Sequence, residues 1–532
     1  MTLEDLNTGK SLAAHFICSA RANWNRRCIS DSTGKKLNYG QTLTAVIALA
    51  EKIDALTKDR QKIGILLPSS VAAALANIAV SLLDKIPVNL NYSLSEKLIK
   101  SAVEQSDIKV VLTSRSFAQW YENIDALPGL IFLEDLKNKL SFASKLKAYI
   151  KARFISPDVL TNAKKFSPDD LAAIIFSSGS SGIPKGVMLS HNNIFSNVQS
   201  IRSVVQLYPD DNVCGVLPFF HSFGFTVSLW LPLIAGLSAS YAANPLDGKA
   251  VGKIARENNS TILFTSPTFL LSYIRRSEPD DFKTLRLVVV GAEKLKRTIA
   301  DAFERKFKIR PQEGYGCTEL SPVVSINLTK DQGTGKCKVG LKQGTIGMPI
   351  TGVQVKIVST ETNQDLPAGK EGLLMVKGPN VMLGYLNNKI KTQDVIRDGW
   401  YNTGDIASID EDGFITIKDR LSRFSKIAGE MVPHLGIEQA LLKALNTHEP
   451  IIAVISIPHP KKGEELIVFH TEKAPDADKL HKILSQSGLP NIWKPRRDNY
   501  IKIETLPTLG SGKLDVMKLK KIALAAKNES QR

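Results

Sequence analysis

The sequence predicts an α/β protein. A large N-terminal region of mainly parallel sheets flanked by helices carries a β-rich subdomain, and a small α+β C-terminal domain follows. Three observations predict this. Apolar strand-like runs alternate with helical stretches through most of the chain, the mark of parallel sheets crossed by helices. From 346 to 418 short alternating runs separated by turn residues take over, as in "GVQVKIV", "EGLLMVKG" and "GFITIKDR". Over 421–532 helix and strand patterns return, a length that suffices for a small domain. At 532 residues the chain exceeds one ordinary core, so two domains, 1–420 and 421–532, are expected.

Taken in order, strands are predicted over 62–67, 110–113, 172–176, 261–265 and 285–290. Between 136 and 154, "LKNKLSFASKLKAYIKARF" holds six basic residues and no acidic one. Leu136, Leu140, Ala143, Ile150 and Phe154 recur there at helical spacing. That predicts one basic amphipathic helix of the kind that lies on a membrane surface; a solvated face is the plainer reading. Between Asp211 and Asp247 there is no charged residue. Pro218, Pro232, His221 and the absence of a basic flank argue against a membrane span, so this segment is predicted as a helix in a large core or beside an apolar pocket.

Composition narrows the function. With 43% hydrophobic and 23% charged residues the chain is not disordered. Cys18, Cys28, Cys214, Cys317 and Cys337 form no C-x-x-C pair, which fits a reducing compartment without a zinc site. The N-terminus is acidic and its first apolar run contains His15, so no signal peptide is expected. A cytoplasmic protein, peripheral on the inner face of the cytoplasmic membrane, fits these features. A net charge of +17 suits an anionic partner, but no nucleic-acid motif accompanies it.

The chemistry is concentrated in four stretches. "IIFSSGSSGIPKGVMLSH", 174–191, places hydroxyls and glycines in a loop that leaves through Pro184-Lys185-Gly186. Hydroxyl donors, inward-turned backbone N–H groups and a lysine suit a phosphate-bearing ligand. It is not the G-x-x-x-x-G-K-[ST] loop, because position 184 is Pro. "EGYGCTELSP", 313–322, offers glycines around the Tyr315 ring, then Thr318 and Glu319, a fair pair for Mg²⁺ on phosphate. "GWYNTGDIASIDEDGFITIKDR", 399–420, sets Asp405 after a Gly turn, ready to accept from ribose hydroxyls. "LPTLGSGKLD", 506–515, flanks Lys513 with glycines. Each alone reads equally well as a turn or hairpin; the four together, in this order, are specific.

At these residues the chain resembles the adenylate-forming superfamily of acyl- and aryl-CoA synthetases, peptide-synthetase adenylation domains and luciferases. The likeness covers nearly the whole chain. "LPFFHSFG", 217–224, is similar to that family's aromatic/histidine motif beside the acyl pocket. "RFSKIAGEMV", 423–432, with "LPTLGSGK", "VVGAEKL" and "EGYGCTELSPVVSIN", looks like the acyl–acyl carrier protein synthetase half of bacterial bifunctional 2-acylglycerophosphoethanolamine acyltransferase/acyl-ACP synthetases. None of the eight histidines has Asp five residues later, so the acyltransferase pair H-x-x-x-x-D is absent.

The resemblance implies a fatty acid ligase using ATP and Mg²⁺. A carboxylate attacks the α-phosphate to give acyl-AMP, and a phosphopantetheine thiol, of acyl carrier protein or alternatively of coenzyme A, then takes the acyl group. It implies that Lys513 reaches the carboxylate and α-phosphate. Ser177, Ser178, Gly179, Ser180, Ser181, Gly182 and Lys185 hold phosphates. Gly291, Ala292, Glu293, Glu313, Gly314, Tyr315, Gly316, Thr318, Ile417, Asp405 and Arg420 hold the nucleotide, and Glu319 binds Mg²⁺. His221 gates an acyl tunnel lined by 213–246. A mobile C-terminal domain brings Lys426, Gly429 and Glu430 to a thiol tunnel. Asp419 before Arg420, Ser422, Gly436 and the Ser180-Ser181 pair depart from the family pattern. A lipid- or acyl-AMP-binding protein without turnover is the reading from another class; the presence of Lys513, Glu319 and Asp405 speaks against it.

Overall fold

The computed structural model describes residues 9–59, 61–119, 121, 124, 127–161, 166–177, 184–427, 430–447, 449–459, 463–508 and 514–530. Among these, four sheets organise the chain. The largest has nine strands, ordered Met348–Pro349, Val323–Ile326, Gln312–Gly316, Leu287–Val290, Ile262–Thr265, Asn212–Gly215, Ser238–Tyr241, Arg27–Asp31 and Lys36–Asn38. The six from Gln312–Gly316 to Arg27–Asp31 run parallel, and antiparallel strands close both edges. Leu287–Val290 reads LVVV and is buried throughout, as a parallel strand covered on both faces requires.

The second sheet has seven strands, ordered Gly384–Tyr385, Lys185–Ser190, Leu171–Ser177, Ile86–Asn89, Lys62–Ile65, Val111–Thr113 and Leu130–Phe132. The helix Val71–Leu82 is buried at every position but Ala72, and the longer Tyr39–Thr57 packs beside it. One continuous core runs from Leu12 to Ile415. The five strands predicted from sequence all form, within a few residues of the expected bounds.

Residues 354–420 build an antiparallel five-stranded sheet from Gln354–Val358, Gly372–Lys377, Trp400–Ile409, Ile396–Arg397 and Ile415–Arg420. The last sheet uses Phe424–Ile427, Glu430–Pro433, Ile452–His459, Gly463–His470 and Tyr500–Lys502. Two apolar clusters confined to 427–523 cover it. Gly436, in the helix His434–Ala444, has a packing reason: a Cβ there would lie 3.0 Å from the Trp493 ring.

Two expectations need correction. The 136–154 helix is two helices, Leu133–Asn138 and Phe142–Phe154. Ser141 divides them, with extended dihedrals and a hydroxyl that accepts from the Ser144 N–H, an N-cap inside the apolar periodicity. The predicted stripe is also not the packed one. Ala148 and Ala152 are buried, whereas Ile150 and Phe154 face outward. The uncharged 212–246 segment is not one helix either. It runs through the strand Asn212–Gly215, a π-helical stretch Gly224–Trp230, the short helix Leu231–Ala235 and the strand Ser238–Tyr241. The helical backbone runs on from the π-helical stretch through Pro232, and Gly236, which adopts φ +76°, ends it. No helix among the described residues is long and apolar enough to cross a membrane.

Candidate active site

A cavity of about 820 Å³ opens where the large sheets meet the antiparallel sheet. Much of its wall comes from the carboxyl ends of parallel strands, where an open α/β sheet leaves a crevice. Gly291, Ala292 and Glu293 follow Leu287–Val290, and Glu313, Gly314, Tyr315 and Gly316 end Gln312–Gly316. Ala292 stands at φ +69°, left-handed backbone that a side chain makes costly and that clusters at functional sites.

Ser177 and Lys185 are register partners across two antiparallel strands, and both line the cavity. The loop between them therefore starts and ends at the cavity wall, and a strand follows it, not the helix of a P-loop. Ser178, Gly179, Ser180, Ser181 and Gly182 lie outside the described residues. The Lys185 ammonium sits 5.4 Å from the centre of the Tyr385 ring. Burial lowers its pKa, Lys391 adds to this, and Glu319 opposes it.

The 313–322 stretch meets the 399–420 stretch through side chains. The Tyr315 hydroxyl donates to one carboxylate oxygen of Asp405, and Arg420 Nε lies 3.3 Å from the other. Asp405 and Arg420 face each other across neighbouring strands, and Ile417 stands opposite Ala407. Burial and the adjacent carboxylate push the Tyr315 hydroxyl well above its ordinary pKa, so it stays a donor. Gly316 is sterically required, because a Cβ would lie 1.9 Å from the Pro322 carbonyl oxygen.

Glu319, in the short turn Thr318–Leu320, accepts from the Tyr385 hydroxyl at 2.8 Å. The Ser222 hydroxyl reaches that of Thr318 at 3.2 Å. A carboxylate and a hydroxyl on a wall shared with Lys185 are oxygen ligands of the kind a hard divalent cation takes. Glu293 accepts from the Thr268 hydroxyl at 2.8 Å, and burial raises the pKa of Glu313.

Apolar side chains line the same cavity: Ile201, Phe223, Phe264, Val289, Val323 and Ile326. Phe223 and Phe264 meet edge to face, with centroids 6.0 Å apart. His221 lines the cavity as well. Of the 213–246 segment, the wall takes only Leu217's neighbours Phe220, His221, Ser222 and Phe223; Trp230, Leu233 and Tyr241 are core. Lining by the whole segment is therefore corrected.

Every described residue expected to hold nucleotide or metal, and His221, thus lines one cavity. Lys513 and Gly429 fall outside the described residues. Lys426 and Glu430 lie on the paired strands Phe424–Ile427 and Glu430–Pro433. The sequence reading missed Tyr385, Tyr401, Lys294 and Leu435, which also line the cavity. Lys294, one residue beyond Glu293, and Tyr401 sit inside the "VVGAEKL" and 399–420 stretches, whereas no motif marks Tyr385 and Leu435, which chain folding brings there. Asp419 lines it as well, with its carboxyl pKa raised by burial and one oxygen 3.9 Å from Arg423 Nε.

A family model described as AMP-binding enzyme matches residues 18–386. The long-chain-fatty-acid–CoA ligase of Salmonella typhimurium is 30% identical over 348 residues, 64% of this chain and 58% of that protein. The match therefore spans less than two thirds of that relative's length. The 4-coumarate-CoA ligase 1 of Narcissus pseudonarcissus is 26% identical over 531 residues, 96% of this chain and 94% of that protein. Among solved structures, ATP-bound MatB from Rhodopseudomonas palustris superposes with TM-score 0.77 at 23% identity, over 96% of this chain and 98% of that one. The o-succinylbenzoate coenzyme A synthetase MenE from Bacillus subtilis, in complex with ATP and magnesium ion, gives 0.77 at 22%, over 95% and 99%. These two likenesses concern the fold.

Proposed function

This chain belongs to the AMP-binding enzyme family, and we propose that it is an AMP-forming acid–thiol ligase. It activates a fatty acid as acyl-adenylate and passes the acyl group to a phosphopantetheine thiol. The observation that carries this reading is one cavity lined both by Tyr315, Asp405, Arg420, Glu319 and Lys185 and by apolar side chains such as Phe223, Phe264 and Val289. A nucleotide and an aliphatic acid need both kinds of lining at once.

In the first step a carboxylate oxygen attacks the α-phosphorus, the bond to the β-phosphate oxygen breaks, and pyrophosphate leaves. Anions must meet, so positive charge has to stand where negative charge develops. Lys513 takes that role, and Lys185 with the loop that begins at Ser177 holds the outer phosphates. Asp405 and Arg420 take the ribose hydroxyls, and Tyr315 packs on the adenine. Glu319, with Thr318, would hold Mg²⁺, which offsets phosphate charge when bound. In the second step the thiol sulfur attacks the acyl carbonyl, the bond to phosphate oxygen breaks, and AMP leaves with the thiol proton lost to solvent. Residues 421–532 act as the moving domain that exchanges Lys513 for the thiol tunnel at Lys426, Gly429 and Glu430.

Coenzyme A ranks first as acceptor, because a relative matched over 64% of this chain is a long-chain-fatty-acid–CoA ligase. Acyl carrier protein is the second reading, favoured by "RFSKIAGEMV" and by 18 Lys/Arg against 12 Asp/Glu over 421–532, which suits an acidic carrier. Mass spectrometry of products from ATP, Mg²⁺ and palmitate, with coenzyme A in one tube and holo-acyl carrier protein in another, decides between them. Thioester in neither tube, with no acyl-AMP formed, sinks the ligase reading. Lys513→Ala is expected to abolish acyl-AMP formation yet spare thioester formation from supplied acyl-AMP; equal loss of both removes its assigned role.

A further inference from the structure

The helix Phe142–Phe154 is packed the wrong way round for a soluble helix. Its small residues Ala148 and Ala152 are buried against the body. Its large apolar residues point out: Phe142 is 82% exposed, Phe154 73%, and Leu146, Tyr149 and Ile150 close to half. Phe142, Leu146, Ile150 and Phe154 follow at four-residue intervals, so they form one row along the solvent side. Lys145, Lys147 and Arg153 flank this row, and Lys137 and Lys139 precede it, without an acidic residue over 136–154.

The helix is held firmly in that orientation. Arg21 Nε donates to the Ala152 carbonyl at 2.9 Å, and its guanidinium also reaches the Ile155 carbonyl. Lys151 pairs with Glu51 on the helix Tyr39–Thr57 at 2.6 Å. An outward apolar row is therefore built into the fold, not a frayed end. Isolated exposed apolar residues are ordinary, but a contiguous row of four marks a contact surface.

We propose that this face docks on an anionic lipid bilayer, with the apolar row among the acyl chains and the lysines at the headgroups. Charge decides the occupant. A second copy would set this mainly basic rim, in which Glu51 offsets part of the charge of Lys147 and Lys151, against itself, whereas an anionic surface satisfies rim and row together. The proposal stands on the surface alone and does not depend on the ligase reading.

The test is co-sedimentation of the full-length protein with phosphatidylcholine vesicles, with and without phosphatidylglycerol, at low and high salt. Binding is expected only to the anionic vesicles and should weaken with salt. A variant with Phe142→Ser, Leu146→Ser, Ile150→Ser and Phe154→Ser, and separately Lys139→Glu with Lys145→Glu, should each bind at least about ten-fold less. Both should keep the wild-type melting temperature, because the changed side chains face solvent. Absence of binding by the wild-type protein, or unchanged binding by the serine variant, overturns the proposal. A wild-type dimer that the serine variant turns into monomer gives the face to a second copy and overturns it too. So does loss, in that variant, of binding to acidic holo-acyl carrier protein while the wild type ignores vesicles. Ligase activity on detergent-dispersed fatty acid is a separate readout, so failure here and failure of the ligase reading are told apart.

Discussion

The polar and the apolar parts of the cavity lining are held by different means. In the polar part side chains hold one another: Tyr315 and Arg420 share the Asp405 carboxylate, and Tyr385 holds Glu319 at 2.8 Å. In the apolar part Phe223, Phe264, Val289 and Ile326 are placed by packing alone. Fixed, mutually bonded groups favour one charge arrangement and give way poorly. Packed rings discriminate by volume, and volume is adjusted more cheaply. The polar part is therefore the place for chemistry common to many acids, and the apolar part the place for choosing among them.

Asp405→Ala would break this contrast hardest. It removes the acceptor shared by Tyr315 and Arg420, and a loss of roughly 100- to 1,000-fold in kcat/KM for ATP is expected, the scale of one fixed polar contact to developing or ground-state charge. ATP–pyrophosphate exchange measures it, and near-normal exchange would mean the polar wall is structural. Glu319→Ala comes next. A loss of about ten- to a hundred-fold is expected, partly recovered at high Mg²⁺ concentration, since outer partners of a metal site carry effects of this size and a direct ligand at least as much. If its ATP kinetics ignore Mg²⁺ as the wild type's do not, the metal assignment fails.

In the apolar part Phe223→Ala should leave KM for ATP unchanged and move the preference between acids of different chain length by about ten-fold, the worth of a methylene or two in an apolar pocket. A parallel loss for all chain lengths would place Phe223 in the chemistry instead. One pH effect on stability comes from outside the cavity. His191 is buried, and its Nδ1 accepts from the Leu12 N–H at 3.2 Å, which needs a neutral ring. Burial holds its pKa down to about 4 from the ordinary 6.5. The unfolded chain takes up the proton first, so this stability is intact above about pH 6.5 and is lost as pH falls toward about 4, roughly 3 kcal/mol in all. His15 nearby, also held down to about 4 by burial, adds in the same direction. Melting temperature across that window measures the loss, and a flat profile would refute it.

Much of the scaffold was legible because burial on both faces leaves a plain trace, as in LVVV at 287–290. The glycines around Tyr315 were legible because sterics compel them, Gly316 above all. Tyr385 and Leu435 were not, because they reach the cavity from separate elements and no local spacing records that. The helix at 136–154 misled because the apolar repeat crosses the Ser141 cap without a gap. Periodicity finds a face; it does not say whether the face is turned inward.

The hydrogen bond from Tyr315 to Asp405 joins residues 90 positions apart in the chain. A growing polypeptide that has released only its first 400 residues already carries the apolar lining and the glycine-bounded ring, but not their carboxylate partner. The pocket is then a greasy opening without its polar counterpart, and long-range closure of this kind comes late and slowly. During synthesis the interval between Tyr315 and Arg420 is thus one in which a chaperone's cover would keep that opening from other apolar surfaces.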